Sequence, residues 1–293
     1  MNSFKCPVCG ANNGEIIFQC TDHSVTGELF DVVQCNSCLY AQTLPQPDES
    51  VIGKYYETND YISHSETKNG IVNRIYLFVR QFNIKRKLNL INKVANNHNN
   101  LLDVGCGTGF FLSQCKEKDW KVTGVEQSDF ARKKAEERIK DSVYPSINAL
   151  IDTENKFDVI TLWHVFEHLH DINKSFEQLK SMLNPNGVLV LALPNLCSKD
   201  AKIYGNHWAA FDVPRHLSHF SPQSVKQLTE KHGMKVTKII PMKWDSYYVS
   251  MLSEQIKGKK GLVSFIRGIC SGLKSNISAW KTGNYSSLIY VIE

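Results

Sequence analysis

The chain has 293 residues, 42% hydrophobic and 22% charged, with a formal net charge of +5. That composition is ordinary for a globular protein, and the length suits one large domain or a large and a small one, with enough chain to bury a core without disulfides. The mild basicity permits an anionic substrate or surface but demands neither; no apolar run approaches the roughly 18 residues of a spanning helix, and the opening MNSFKCPVCG carries no apolar leader, so the cytoplasm is the expected compartment.

Residues 1–44 form a cysteine-rich zone holding five of the nine cysteines. Cys6-Pro7-Val8-Cys9-Gly10 and Cys35-Asn36-Ser37-Cys38 are two C-x-x-C pairs separated by 25 residues, with strand-like pieces EIIF and LFDVVQC between them. Two such knuckles place four thiolates at the corners of a tetrahedron, the arrangement of a zinc ribbon. Because Cys6, Cys9, Cys35 and Cys38 would close the shell, the expected zinc is structural; Cys20 and His23 are substitute ligands. A linker follows at Pro45-Gln46-Pro47-Asp48, opening a zone of linker and helical lid over residues 45–95. It contains the aromatic segment YYETNDYISHS (Tyr55–Ser65) and a helix expected over Asn69–Val94, whose Arg74, Arg80, Lys85, Arg86 and Lys87 read as a solvated face.

From residue 96 to 293 strands and helices alternate. LLDVGCG is a buried strand ending in glycine, a helix is expected over Gly109–Lys118, and KVTGVEQS is the next strand. Ser128 N-caps the helix DFARKKAEERIK. A short strand is expected near Asp141–Tyr144, a strand at FDVITLWHV, a helix over Ile172–Leu183, a turn at Asn184-Pro185-Asn186-Gly187 and a strand at VLVLALP. Ser221 caps a further helix with Pro222 at its first position and Gly233 just past its end. MKVTKIIP and SLIYVIE are the closing strands, separated by a helical insertion at about 244–285. The alternation argues for a doubly wound parallel sheet.

Asp103-Val104-Gly105-Cys106-Gly107-Thr108-Gly109 lies between a strand and a helix, where backbone meets a ligand at the carboxyl end of the sheet. Glu126 ends the following strand, 23 residues after Asp103, where a carboxylate accepts from both hydroxyls of a ribose.

Here the chain resembles the class I S-adenosylmethionine-dependent methyltransferases. DVGCGTG looks like their first motif, FDVITLWHVFEHLHD like their fourth strand and its loop, and LNPNGVLVLALPN like their turn and fifth strand. The resemblance covers roughly residues 50–240 and the last strand, and implies a Rossmann-like α/β sheet with an antiparallel last strand. It also implies that Asp103, Gly105, Cys106, Gly107 and Gly109 line the methionine part of S-adenosylmethionine, that Glu126 holds the ribose and Gln127 flanks the adenine. Trp163 and His164 would lie beside the sulfonium, Tyr61 and His64 would fold over the cofactor as a lid, and Asp152 is a stand-in for the acid that meets the adenine amine. The product would be S-adenosylhomocysteine.

A sulfonium methyl is already activated, so the enzyme must align an acceptor and take its proton. Histidine is the natural base near neutral pH. His164 and His168 flank the end of the fourth strand, with Glu167 placed to orient His168; a packing and capping pair is the other reading. The segment from Trp208 to Phe220 gathers aromatics, Arg215, His216 and His219 where substrate loops lie. In the similar sugar C-methyltransferases a Glu-His pair holds this place. His216 matches the histidine, as base or substrate ligand, against a buried structural histidine; Arg215 replaces the acid and is suited to an anionic substrate group. Trp208 and His219 complete the expected substrate side.

The insertion segment KGKKGLVSFIRGICSGLKSN is basic and amphipathic, a cover for the pocket or a peripheral membrane contact. The expected function is methyl transfer to an oxygen or carbon of a small-molecule acceptor, such as a sugar, quinone or lipid-linked precursor. A zinc-ribbon RNA base methyltransferase and a non-catalytic cofactor-binding module are the alternatives; a net charge of +5 is a thin basis for a nucleic-acid partner.

Overall fold

In the computed structural model of the chain, the described residues are 4–56, 71–95, 98–151 and 153–293, with backbone alone for 71–80 and 82. In chain order the elements are β1 (Gly14–Thr21), β2 (Leu29–Cys35), β3 (Ala41–Leu44), α1 (Ile71–Val94), β4 (Asn100–Val104), α2 (Phe110–Lys116), β5 (Lys121–Val125), α3 (Asp129–Ile139), β6 (Val143–Tyr144) and α4 (Ile147–Ile151). They continue with β7 (Phe157–Trp163), α5 (Ile172–Ser181), β8 (Leu183–Pro194), α6 (Lys199–Tyr204), β9 (Ser218–His219), α7 (Pro222–Lys231), β10 (Val236–Pro241), α8 (Asp245–Ile256), α9 (Gly261–Thr282) and β11 (Ser287–Ile292).

The chain divides into two compact units. The first comprises Met1–Ile62, Phe166–Asn173 and Ala192–Tyr290; the second comprises Ser63–Val165, Lys174–Leu191 and Val291–Glu293. Both units draw on segments far apart in sequence.

In the second unit β4 lies between β5 and β7 with parallel pairing, Leu102 opposite Thr123 on one side and Ile160 on the other, and β6 continues from β5. Leu101, Leu102, Val159, Ile160 and Leu162 are wholly buried. Apolar residues at successive positions, rather than alternate ones, mark a strand covered on both faces, and each such side chain contributes roughly 1.5–3 kcal/mol. Helix α3 begins where its cap stands: the Ser128 hydroxyl accepts from the Ala131 amide at 3.4 Å.

In the first unit β1, β2, β3 and β9 form an antiparallel sheet. Its core packs Phe30, Val32, Ala41 and Tyr55 against Tyr204, Trp208, Phe211 and Val213. Ser221 caps α7 in a reciprocal box with Ser224, Pro222 occupies the first turn, and Gly233 follows the end at φ 68°. The expected Asn184–Gly187 turn lies within β8, which starts at Leu183, so α5 ends two residues earlier than its pattern suggests; Asn186 takes the left-handed conformation at φ 65°. Two short helices, α4 and α6, carry no pattern long enough to read from sequence. The insertion is a hairpin of two helices, α8 and α9. No helix among the described residues is long and apolar enough to cross a membrane.

Candidate cofactor loop, histidine cluster and four-cysteine centre

The loop after β4 is shaped by its own backbone. The amides of Gly105 and Cys106 both donate to the Val125 carbonyl, at 2.7 and 3.1 Å. Gly107 sits at φ 54° with nothing within 4 Å of where a Cβ would stand, so its α-carbon faces open space. Gly109, at φ 75°, has the opposite surroundings: a Cβ there would lie 2.9 Å from the Ala135 α-carbon of α3. One glycine leaves room and the other allows α2 to approach α3.

Glu126 is half-buried just beyond β5. Its two carboxylate oxygens accept separately from the Gly107 amide at 2.8 Å and the Ser128 amide at 2.9 Å. A carboxylate oxygen has two lone pairs, so each retains an acceptor site in a carboxylate whose direction is fixed. Gln127 next to it is exposed, and Cys106 is buried with its thiol pushed up by burial. Asp103 is buried, and desolvation lifts its carboxyl to about 7 against the opposing effects of a Thr161 hydrogen bond at 2.6 Å and the nearby Lys87.

Trp163 ends β7 against Phe111, with ring centroids 5.8 Å apart. Its indole Nε1 is buried and has no acceptor among the described residues. The ammonium of Lys87 lies 4.4 Å from the Trp163 ring centroid, a cation–π contact. Lys85 and Arg86 are exposed as expected, but Lys87 turns inward by one helical step to this tryptophan, which no local pattern signals. His164, half-buried, has a left-handed backbone at φ 58°. The open α-carbon at Gly107, the oriented carboxylate and the buried unmet indole N–H fit an adenosine-type ligand. Tyr61, His64 and Asp152 lie outside the described residues.

The histidine cluster belongs to the first unit. His168 and His216 meet edge to face, with ring centroids 4.6 Å apart. His168 Nδ1 lies 3.0 Å from the Arg215 carbonyl and 3.0 Å from the Tyr56 hydroxyl; His216 Nδ1 lies 2.9 Å from the Ala210 carbonyl. A carbonyl only accepts, so each Nδ1 carries the proton, and a neutral ring keeps its lone pair at Nε2. Burial, with His216 beside it, pushes His168 down to about 4. His219 goes to about 3 for the same reasons; its Nε2 lies 2.9 Å from the Thr43 hydroxyl, which itself donates to the His216 carbonyl at 2.6 Å. Glu167, His168 and His216 each bring a polar atom within 4.8 Å of the other two.

Arg215 is built into the frame. Its guanidinium donates to Asp212 at 2.6–3.1 Å, to Asp22 at 3.2 Å and to the Tyr55 carbonyl at 2.8 Å. Burial works against Asp212 and Asp22, but the bonds each receives, including those from this cation, hold both carboxyls below the usual range. The donors expected to meet an anionic substrate are therefore committed to internal partners. Trp208 is likewise interior: it is 2% exposed and donates its indole N–H to Asp200 at 2.9 Å. Tyr56 and Asp22 join this cluster from positions that nothing in the sequence connects, whereas Asp212 stands three residues before Arg215.

Four cysteines gather at one end of the β1–β3 sheet. Sγ atoms of Cys6 and Cys38 are 3.5 Å apart, as are those of Cys9 and Cys35, and all four lie within 4.8 Å of one another. A zinc tetrathiolate with bonds of about 2.3 Å has edges of about 3.8 Å, so the donor set fits such an ion. Each knuckle closes tightly: the Gly10 amide donates to the Cys6 carbonyl at 2.9 Å and the Leu39 amide to the Cys35 carbonyl at 3.0 Å. The substitute ligands fall elsewhere, Cys20 in the apolar core and His23 stacked on His207.

A family model described as "Methyltransferase domain" matches residues 78–239. The ubiquinone biosynthesis O-methyltransferase of Actinobacillus pleuropneumoniae is 33% identical over 106 residues, covering 32% of this chain and 45% of the relative. That of Bradyrhizobium diazoefficiens is 26% identical over 156 residues, covering 46% and 60%. The chain thus spans about half the length of the curated relatives it matches. Among solved structures, the magnesium protoporphyrin IX methyltransferase of Synechocystis with bound SAH has a TM-score of 0.53 at 11% identity, covering 84% of this chain and 99% of that one, a likeness of fold.

Proposed function

The chain belongs to the methyltransferase domain family, and from that premise we propose that it transfers the methyl group of S-adenosylmethionine to an oxygen or carbon of a small-molecule acceptor. The observation that carries the reading is the Glu126 carboxylate, held by two backbone amides beside the open α-carbon of Gly107. Glu126 would accept the two ribose hydroxyls, the Asp103–Gly109 backbone would receive the amino-acid end, and Trp163 Nε1 would find its missing acceptor. When bound, the cofactor supplies a methyl group already activated on a sulfonium.

An oxygen acceptor comes first because the matched relatives are named O-methyltransferases. For the base we propose the His168–His216 pair. Both Nδ1 protons are engaged by carbonyls, which leaves Nε2 to take a hydroxyl proton. Arg215 acts on this pair as a positioning residue, since its own carbonyl holds His168 and its side chain fixes the Asp212 turn. For the four thiolates we propose zinc, closed to substrate and structural in role.

Calorimetric titration with S-adenosylmethionine and S-adenosylhomocysteine, then transfer of a labelled methyl to hydroxylated aromatic rings and to sugars, tests the proposal. Binding of both with transfer to a small hydroxyl or carbon acceptor supports it. Binding without transfer makes the chain a cofactor-binding module, transfer to RNA alone overturns the acceptor class, and no binding overturns the reading.

A further inference from the structure

Helix α9 carries its apolar residues on the outside. Leu262, Ile266, Ile269, Leu273, Ile277 and Trp280 follow at steps of three or four, one stripe of the helix, and are exposed, Leu262 by 70% and Trp280 by 79%. The buried stripe is the polar and small one: Ser264, Gly268, Ser271, Gly272, Ser275 and Ala279. It packs on α8 so closely that a Cβ at Gly268 would stand 2.6 Å from Met251. Helix α8 likewise buries Ser246, Ser250 and Ser253 while exposing Trp244 and Tyr248. This inverts the usual amphipathic rule, in which the apolar stripe faces the core. Single exposed apolar side chains are ordinary; a continuous face of them marks an interaction surface.

Charge identifies the partner. Lys260, Arg267, Lys274 and Lys281 recur every seven residues, which sets them in one row along the border between the apolar and buried stripes. Residues 243–282 hold seven Lys and Arg against two Asp and Glu, an excess as large as the +5 of the entire chain. One of the two acids, Glu254, is buried and accepts from Arg267 at 2.9 Å. A second copy of this chain would bring one cationic surface against another. An anionic lipid surface answers both features, with the apolar face entering the acyl boundary and the lysine heads reaching the phosphates. Neither helix is long and apolar enough to cross, so α9, about 33 Å long at 1.5 Å per residue, would lie flat.

We propose that the α8–α9 hairpin docks this protein on the surface of an anionic lipid bilayer, with α9 parallel to the membrane plane. The inference is independent of the methyl-transfer reading. The test is flotation of the full chain with phosphatidylcholine vesicles, with and without phosphatidylglycerol. Binding to the phosphatidylglycerol vesicles alone, lost at high salt, is the expected result. Lys274→Gln with Lys281→Gln should lower partitioning about 30-fold, at about 1 kcal/mol per cation. Leu273→Ser with Trp280→Ser should abolish it. No partitioning by the unaltered protein, or equal partitioning into neutral vesicles, overturns the proposal. So does sedimentation in the absence of lipid showing a dimer that Leu273→Ser with Trp280→Ser dissolves, because the face would then join two copies.

Discussion

Asp103, Gly107 and Glu126 of the second unit fall within 24 consecutive residues, and what fixes them is backbone: a parallel ladder, two amides on one carboxylate and a helix cap. The histidine cluster of the first unit draws Asp22, Thr43, Tyr55, Tyr56, Glu167 and His168 to the segment Asp212–His219, and side chains hold it. The difference decides what a substitution does. A side chain lost from the loop removes a ligand contact and leaves the ladder intact. A side chain lost from the cluster strands another buried polar group, so the fold itself suffers.

The largest effect should come from the thiolates. Cys6→Ser with Cys9→Ser should reduce metal from about one zinc per chain to none, and the β1–β3 sheet should lose binding energy of the order of 10 kcal/mol, as in small zinc domains. Elemental analysis with circular dichroism reads both; full zinc retention would sink the site. Next is Arg215→Met, which leaves Asp22 and Asp212 without their cation. The expected loss is about 3–5 kcal/mol in denaturant unfolding. A loss below about 1 kcal/mol would mean that the guanidinium is free to serve a ligand after all.

Acid should separate the units. The folded pKa of His168, about 4, lies below the unfolded value of 6.5, so the unfolded chain holds more protons between those limits. Stability from this residue, about 3 kcal/mol, is complete above pH 6.5 and is lost as the pH falls through 4. His219 adds the same sign, as do Asp212 and Asp22 at lower pH, below their unfolded value of about 3.9. Asp103 has the opposite sign: its folded pKa of about 7 is raised, so its contribution is complete below the unfolded value and declines as pH rises through 7. Hydrogen exchange corrected for intrinsic rate should therefore show β2 and β3 losing protection from pH 7 to pH 5 while β4 and β7 hold or gain. Equal losses in both sheets would break the distinction.

The same division governs what the sequence discloses. The glycine loop, Glu126, the Ser128 and Ser221 caps and the paired cysteines are legible because their determinants lie within a turn or two, or in repeated spacing. The parallel strands are legible because double-sided burial writes itself as unbroken apolar runs. Arg215 reads as a substrate ligand since the buried carboxylate at position 22 reaches it only through tertiary folding, while Asp212, three residues before it, is the one partner within local reach. Lys87 reads as solvated because the Trp163 ring that receives it belongs to a strand far along the chain from its helix. The apolar stripe of α9 is visible as amphipathic, but which side faces inward is set by Gly268 and Gly272 fitting against α8, a matter of shape rather than hydropathy.

The substitution with the smallest expected effect on the fold tests the loop most directly. Glu126→Ala removes the acceptor for two ribose hydroxyls and should weaken the cofactor by about 1.5–3 kcal/mol for each charge-assisted bond, roughly 10- to 150-fold apiece. Fold stability should change little, because Glu126 is half-buried and the two amides it receives stand at a loop that water reaches. Glu126→Gln should recover little of the loss: an amide has one acceptor oxygen, so its NH2 group must face either the Gly107 or the Ser128 N–H, and two donors repel. S-Adenosylmethionine and S-adenosylhomocysteine share the ribose and differ only at the sulfur, so calorimetry should show equal losses for both. A loss confined to S-adenosylmethionine would move Glu126 from the ribose to the sulfonium charge, and the loop would have to be read in the opposite orientation.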